Sequence, residues 1–166
     1  IDEAHCISQW GFDFRPSYLN VHVLRTLKPD VPVIALTASA TPRVKKDLAE
    51  ALLISDAKVF EDSIRRENLN LHLKFTPNKE RQLFRLLPRL DGTGIVYAKT
   101  RRSCEALASL LQDEGHSADY YHAGLLTEAK EQRQSAWLNN DLRIIVSTTA
   151  FGMGIDKSDV NWVIHW

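Results

Sequence analysis

Hydrophobic and polar positions repeat with two different periods along the chain, and these periods predict its secondary structure. A continuous apolar run over 31–36 (VPVIAL) predicts a strand that is covered on both faces. Apolar residues at helical spacing predict an amphipathic helix over 43–53, with Thr41 as its N-cap and Pro42 at its first position. Apolar residues alternate with polar ones over 69–75, which predicts a half-buried strand.

Strand and helix patterns alternate regularly from residue 79 onwards. The helical patterns cover three segments, with Gly115 ending the second and Thr127 capping the third: 79–90, 102–114 and 127–138. The strand patterns cover four segments: 94–98, 118–121, 142–147 and 160–164. This alternation is typical of a parallel sheet flanked by helices, so the predicted fold class is α/β. The polar stretch 61–68 is predicted to join two lobes, 1–66 and 67–166.

Composition and charge limit the classes of function. The chain has 166 residues, of which 44% are hydrophobic and 25% charged, as in ordinary globular proteins. It has no apolar run of the roughly 18 residues that span a bilayer, so we expect no membrane partner and a cytoplasmic location. The 21 basic and 21 acidic residues balance, so a nucleic-acid contact would depend on local cationic patches.

Cysteine and histidine spacing argues against a structural metal site. Cys6 and Cys104 form no C-x-x-C pair, so the one H-x₅-H pair, His116 and His122, has no cysteine pair to complete a zinc site. We therefore expect no zinc site in this sequence and a reducing compartment. The sequence begins with Asp2 and Glu3 directly after Ile1 and stops within an apolar run, so we expect it to be a piece of a longer protein.

Two adjacent acids open the chain, in the sequence Asp2-Glu3-Ala4-His5. At the carboxyl end of a strand, one carboxylate could hold Mg²⁺ on a nucleotide and the other could position the attacking water. The other interpretation is a solvated acidic turn, because a two-residue motif is frequent by chance.

The sequence of residues 1–18 (IDEAHCISQWGFDFRPSY) resembles the Walker B motif and the aromatic-rich loop of RecQ-family helicases, which belong to helicase superfamily 2. Phe12 stands where the family loop has histidine. Aromatic rings in this loop could stack on exposed bases and Arg15 could pair with a phosphate, or the rings could belong to the core. The resemblance implies that Trp10, Phe14 and Arg15 link single-stranded DNA binding to ATP hydrolysis.

A hydroxyl-rich segment, 36–41 (LTASAT), resembles motif III of the same family. The resemblance implies that Thr37 and Ser39, together with His5, connect the nucleotide site to the nucleic acid. By themselves, such residues after a strand are usually helix caps.

Three segments resemble motifs of the second helicase lobe. The segment 94–101 (GIVYAKTR) resembles motif IV with Arg101, and 121–124 (YHAG) matches a common family segment with His122. The segment 148–157 (TTAFGMGIDK) resembles motif V. The resemblance implies that Thr148, Arg101 and His122 contact the DNA backbone, while Gly154 and Asp156 face the nucleotide. Without it, Arg101 could be a basic residue of a helix start and His122 a polar loop residue.

The resemblance as a whole implies parts of two RecA-like lobes and an ATP-dependent 3′-to-5′ DNA helicase of repair and recombination. Its expected ligands are ATP, Mg²⁺ and single-stranded and duplex DNA, with Asp2 on Mg²⁺ through water and Glu3 on the attacking water. The sequence contains neither a G-x-x-x-x-G-K-[ST] segment nor a Q-x-x-G-R-x-G-R segment, so the isolated chain is not expected to hydrolyse ATP. Two alternatives remain: a translocase that does not separate strands, and a nucleic-acid-binding module without catalysis.

Overall fold

The chain forms two compact units, Ile1–Asn70 and Leu71–Trp166. The computed structural model describes residues 1–8, 17, 20–21, 23–38, 40–63, 65–152 and 154–166. The polar stretch 61–68 lies at the end of the first unit. Within the described residues, no helix combines the length and the apolar character that a membrane crossing requires.

The first unit contains a 3-10 helix over Ala4–Ile7 and two α-helices, α1 (Val23–Leu27) and α2 (Pro42–Ala51). The predicted start of α2 is confirmed, because the Thr41 hydroxyl accepts a hydrogen bond from the amide of Val44 at 3.3 Å. The short helix α1 and the 3-10 helix were not predicted, since neither is long enough to display a helical period.

The core of the first unit lies between α2 and the 3-10 helix. Val44, Leu48 and Leu52 pack against Ala4 and Ile7, and all five residues are buried. The residues that follow the acidic pair are thereby fixed to α2, so the start of the chain has a defined position within this unit.

The predicted strand over 31–36 does not form a sheet strand covered on both faces. Its backbone is bonded to the start of the chain, where the Ile1 amino group donates to Ile34 O at 2.7 Å and Leu36 N donates to Ile1 O at 2.9 Å. These alternating bonds are those of a parallel pair. Ile34 and Leu36 remain 69% and 57% exposed, because the described residues cover neither face fully.

The predicted strand over 69–75 is wrong for this structure. The segment has no strand assignment, and Leu71, Leu73 and Phe75 are between 86% and 94% exposed. A half-buried strand needs a neighbouring strand and a packed face, and the described residues provide neither for this segment.

The second unit alternates helices and strands as predicted. Its helices are α3 (Lys79–Leu86), α4 (Arg101–Asp113) and α5 (Thr127–Leu138), with a 3-10 helix over Leu87–Arg89. Its strands are β1 (Thr93–Tyr97), β2 (Ala118–Tyr121), β3 (Ile144–Ser147) and β4 (Val160–His165). All pairs are parallel, in the order β2-β3-β1-β4. The α/β fold class is therefore confirmed.

Two details of the helices differ from the predictions. The helix expected over 79–90 ends as an α-helix at Leu86 and tightens into the 3-10 turn that contains Pro88, because proline lacks the amide needed to continue it. Thr127 is the first helical residue rather than the cap. Leu126 occupies the cap position and makes no side-chain capping bond.

The sheet of the second unit is packed on both faces, which explains its nearly continuous apolar strands. Val96, Ile144 and Val146 face one buried cluster with α3 and α4. Ile95 and Ile145, which alternate with these residues along the same strands, face the other cluster with Trp137 of α5. This packing fixes the strands and, with them, the loops at their carboxyl ends.

The strand order places a topological switch point between β1 and β3. The chain leaves β1 toward β2 and leaves β3 toward β4, so the two connections run in opposite directions across the sheet. In open parallel sheets, the crevice at the carboxyl ends of two such strands is the usual place for a ligand.

Candidate functional site

The acidic pair of the first unit lies at the end of the backbone segment bonded to 34–36. Asp2 and Glu3 are both exposed, and the amide of Glu3 donates to Asp2 Oδ1 at 2.9 Å. Glu3 has φ 48° and ψ 42°, a left-handed conformation that costs a non-glycine residue about 1–3 kcal/mol. The conformation turns the chain sharply into the 3-10 helix and leaves two neighbouring carboxylates facing solvent.

His5 joins the acidic motif to the hydroxyl-rich segment. Its Nδ1 lies 2.9 Å from Thr37 Oγ1 and 3.2 Å from Glu3 Oε2. Its Nε2 lies 3.9 Å from Cys6 Sγ. The structure thus brings together Glu3, His5 and Thr37, which are three of the residues that the sequence singled out.

The acids at this site fit a nucleotide-bound magnesium ion better than a protein-held one. Within the described ranges, no three His, Cys, Asp or Glu side chains are grouped so that they could hold a metal. Mg²⁺ commonly keeps several waters and takes one or two carboxylates together with substrate phosphates. An exposed Asp2 beside Glu3 matches that donor set.

Four of the predicted site residues lie outside the described residues: Trp10, Phe14, Arg15 and Ser39. Phe12, the departure from the family loop, lies outside them as well. The functions assigned to these residues remain predictions from the sequence.

In the second unit, the predicted site residues follow the carboxyl ends of three neighbouring strands. Arg101 comes after β1, His122 after β2 and Thr148 after β3. Because all strands are parallel, these ends meet at one edge of the sheet. The structure therefore gathers residues from three separate motifs at one edge.

Arg101 is exposed at the start of α4, with its guanidinium against the backbone of the His122 loop. A Cβ atom built on Gly124 would lie 2.8 Å from Arg101 Nη1. The absence of a side chain at Gly124 therefore provides the space that this guanidinium uses. Motif IV and the Y-H-A-G segment are in contact through these two residues.

His122 is buried rather than exposed in its loop. The residue is 5% exposed, and its Nε2 lies 2.9 Å from Glu105 Oε1 on α4. Its ring stacks on Tyr120 at 5.5 Å between centroids. Its Nδ1 is buried without a hydrogen-bond partner among the described residues. The Nε2 side of the ring is therefore directed at α4 and not at solvent.

Thr148 begins the loop that follows β3, and the residue before it is held tightly. The buried Ser147 hydroxyl lies 2.7 Å from Tyr121 O and 2.8 Å from Thr148 O. Further along the loop, Gly152 and Gly154 have φ values of +111° and +73°, which favour glycine. Gly154 and Asp156 are exposed, so this part of the loop is accessible to a ligand.

Two residues at this edge, Glu105 and Tyr97, and one residue shortly before β4, Lys157, were not found from the sequence. Glu105 pairs with His122 across 17 positions, and the Tyr97 hydroxyl donates to Phe151 O at 3.0 Å across 54 positions. Lys157 is the last residue of the segment that resembles motif V, but the resemblance assigned it no role. Side-chain contacts over such separations leave no periodic signal in a single sequence.

Comparisons with known proteins agree with the resemblance. Residues 78–166 match the model of the helicase conserved C-terminal domain. The chain is 43% identical over 172 residues to RecQ-like DNA helicase BLM of Xenopus laevis, and 42% identical over 167 residues to ATP-dependent DNA helicase RecQ of Bacillus subtilis (strain 168). These matches cover 99% of this chain but 12% and 28% of the two relatives.

Solved structures support the fold. The chain matches S. cerevisiae Dbp5 bound to RNA and ADP BeF3 with a TM-score of 0.75 and 20% identity, over 98% of this chain and 42% of that one. It matches Mycobacterium smegmatis helicase Lhr bound to ssDNA and AMP-PNP with a TM-score of 0.61 and 24% identity, over 99% and 24%. The fold is that of RecA-like helicase domains. The chain belongs to the family of proteins with a helicase conserved C-terminal domain, which its residues 78–166 form.

Proposed function

We propose that this chain is part of an ATP-dependent helicase that unwinds duplex DNA in the 3′-to-5′ direction during repair and recombination. The observation that carries the proposal is 41–44% identity, over 99–100% of the chain, to proteins named as DNA helicases. Residues 1–66 would be the trailing part of the first RecA-like lobe, and 67–166 most of the second. A cytoplasmic location, nucleoid-associated in a bacterium, belongs to the same proposal.

The acidic pair is assigned to ATP hydrolysis. Bound Mg²⁺ supplies positive charge that neutralises the phosphates during transfer. Asp2 is assigned to this ion through a water molecule, and Glu3 to orienting and deprotonating the attacking water. The contact between Glu3 and His5 supports the assignment, because it restrains a carboxylate that otherwise faces solvent.

The residues around Thr37 are assigned to coupling between hydrolysis and DNA. The 2.9 Å contact of His5 with Thr37 supports a link between the acidic motif and motif III, in which Ser39 would also take part. Trp10, Phe14 and Arg15 are assigned to sensing single-stranded DNA, through stacking on bases and pairing with a phosphate. Their assignment is supported by sequence alone.

The carboxyl edge of the sheet in the second unit, with the loop that follows β3, is assigned to binding both DNA and ATP. Arg101 and Thr148 would contact the DNA backbone, while Gly154 and Asp156 would face the ribose side of ATP. Arg101 and Thr148 follow the carboxyl ends of β1 and β3, the two strands that flank the switch point, which supports the assignment of these two residues. His122, buried and bound to Glu105, is assigned to positioning the loop next to Arg101.

A strand-displacement assay tests the proposal. The intact protein that contains this sequence is mixed with Mg²⁺, ATP and a duplex that carries either a 3′ or a 5′ single-stranded tail. We expect release of the labelled strand from the 3′-tailed duplex and not from the 5′-tailed one. ATP hydrolysis is followed in the same samples with and without single-stranded DNA.

The other possible functions give different results in this assay. DNA-stimulated ATP hydrolysis without strand release would identify a translocase that does not unwind. DNA binding without ATP hydrolysis would identify a binding module without catalysis. Release from the 5′-tailed duplex alone would contradict the proposed direction.

A further inference from the structure

The loop between β3 and β4 is held at two points by side chains, one on each side of its exposed middle. Gly152 and Gly154 have positive φ values, and Gly154 and Asp156 are exposed. A segment with two such glycines has many accessible conformations unless its ends are fixed. The contacts at Phe151 and Lys157 fix those ends.

Tyr97 holds the first point. It is the last residue of β1, and its hydroxyl donates to the carbonyl oxygen of Phe151 at 3.0 Å, across the switch point. Its ring stacks on His165 of β4 with centroids 5.4 Å apart. Burial raises the pKa of Tyr97 above its ordinary value, in the direction that favours the protonated phenol. A Cβ on Gly152 would lie 2.8 Å from this hydroxyl, so the contact also requires glycine there.

Lys157 holds the second point. Its side chain is 4% exposed, and Nζ lies 2.7 Å from Asp159 Oδ1, 2.8 Å from Asn140 Oδ1 and 3.2 Å from Leu138 O. These three acceptors match the three donors of an ammonium group. Since Leu138 ends α5, the contact anchors the loop to a helix carboxyl terminus, where a cation is favourable.

The acceptors of Lys157 are themselves connected. Asn140 Nδ2 donates to Asp159 Oδ2 at 3.0 Å, so the ammonium, the amide and the carboxylate form a closed set. Asn140 has φ +67°, the left-handed conformation that follows many helices. The Lys157 anchor is therefore a set of mutually bonded groups and not a single ion pair.

We propose that Tyr97 and Lys157 are positioning residues that fix the Phe151–Lys157 loop so that Gly154 and Asp156 meet the nucleotide. The inference rests on the proposed function, in which this loop contacts ATP. Neither side chain is assigned a direct contact with ATP or DNA. Their effect is to restrict the loop before the nucleotide binds, which reduces the entropy lost on binding.

The test uses the intact protein with Tyr97→Phe, which removes one hydroxyl, and Lys157→Met, which removes the ammonium. Steady-state ATP hydrolysis at saturating single-stranded DNA gives KM and kcat, and fluorescence anisotropy gives the Kd for single-stranded DNA. We expect KM for ATP to rise about fivefold in Tyr97→Phe, the effect of one hydrogen bond, and at least as much in Lys157→Met. The DNA Kd and kcat should change less than about twofold.

Two variants serve as matched controls, and one tests the underlying assignment. Tyr120→Phe removes a hydroxyl that has no hydrogen bond among the described residues, and Lys130→Met removes an ammonium from α5. Both should leave KM for ATP unchanged. Asp156→Ala should raise KM for ATP more than either anchor variant.

The outcomes separate the inference from the function on which it rests. An unchanged KM in Asp156→Ala would refute the nucleotide role of the loop, and the inference with it. A raised KM in Asp156→Ala together with a normal KM in folded Tyr97→Phe would overturn the inference alone. Equal losses in ATP KM, kcat and DNA affinity in Tyr97→Phe would indicate general damage and would overturn it as well.

Discussion

The imidazole Nδ1 of His5 lies 2.9 Å from the hydroxyl oxygen of Thr37, although 32 positions separate the two residues. The same nitrogen lies 3.2 Å from Glu3 Oε2. One ring therefore contacts the proposed catalytic acid and the proposed coupling segment. A shift of either segment must change the environment of the ring, which is the physical requirement for coupling hydrolysis to a second ligand.

Removing the Thr37 hydroxyl should weaken this coupling. Thr37→Val keeps the shape of the side chain and removes its hydrogen bond to His5, which contributes about 0.5–1.5 kcal/mol. In the intact protein, we expect the stimulation of ATP hydrolysis by single-stranded DNA to fall about fivefold, with basal hydrolysis changed less than about twofold. Hydrolysis with and without DNA is the measurement.

Thr26→Val on the exposed face of α1 is the matched control and should leave both rates unchanged. Equal losses of basal and stimulated hydrolysis in Thr37→Val would contradict a coupling role for the contact.

Gly94 in β1 should not tolerate a side chain. A Cβ there would lie 2.2 Å from the ring of Trp162, and Gly94 lies in a central strand bonded on both sides. Overpacking of this kind costs about 1–3 kcal/mol. In Gly94→Ala, hydrogen exchange of the β1 and β4 amides should be faster by the factor that this loss in the free energy of unfolding implies.

Ser109→Ala on the exposed face of α4 is the control and should alter stability by no more than about 0.5 kcal/mol. Unchanged β1 protection in Gly94→Ala would mean that Trp162 can move aside without cost.

Acid should weaken the second unit partly through Asp159. Hydrogen bonds from Lys157 and then from Asn140 hold the pKa of Asp159 below its ordinary value. A carboxyl with a lowered folded pKa stabilises the protein fully above its unfolded pKa, and this stabilisation is lost as pH falls through the folded pKa. Asp159→Asn should therefore remove part of the stability loss between about pH 5 and pH 2.

The pKa itself can be measured by ¹³C carboxyl NMR titration. Lys157→Met removes the principal cause of the shift and should raise the pKa of Asp159 toward its ordinary value. An unchanged titration midpoint in that variant would contradict the contact between Lys157 and Asp159.

Local patterns predicted the second unit well because each element there carries its own period. The predicted strand at 118–121 and the predicted helix at 127–138 have the observed bounds. The segment 31–36 bonds to Ile1 but forms no assigned sheet strand, and the segment 69–75 has no strand assignment, because a sheet strand depends on partners that a local pattern does not contain. Thr127 has the chemistry of a cap, yet the chain enters the helix one residue earlier.

Motif spacing indicated part of the site, and long-range contacts completed it. The motifs singled out Glu3, His5 and Thr37, which the fold brings together. The burial of His122 against Glu105 depends on the packing of α4 beside β2, so a loop histidine expected to contact DNA is directed inward instead. Such directions are set by tertiary packing and are absent from the sequence pattern.

The assignment of Glu3 to the attacking water is tested most directly by Glu3→Gln in the intact protein. The amide keeps the size of the side chain and removes its basicity. ATP binding, measured by fluorescence with a labelled nucleotide, should stay within about twofold of the native value, while turnover should fall about 100-fold or more. Glu67→Gln, at another exposed acid of the first unit, should change neither quantity. Native turnover in Glu3→Gln would contradict the assignment.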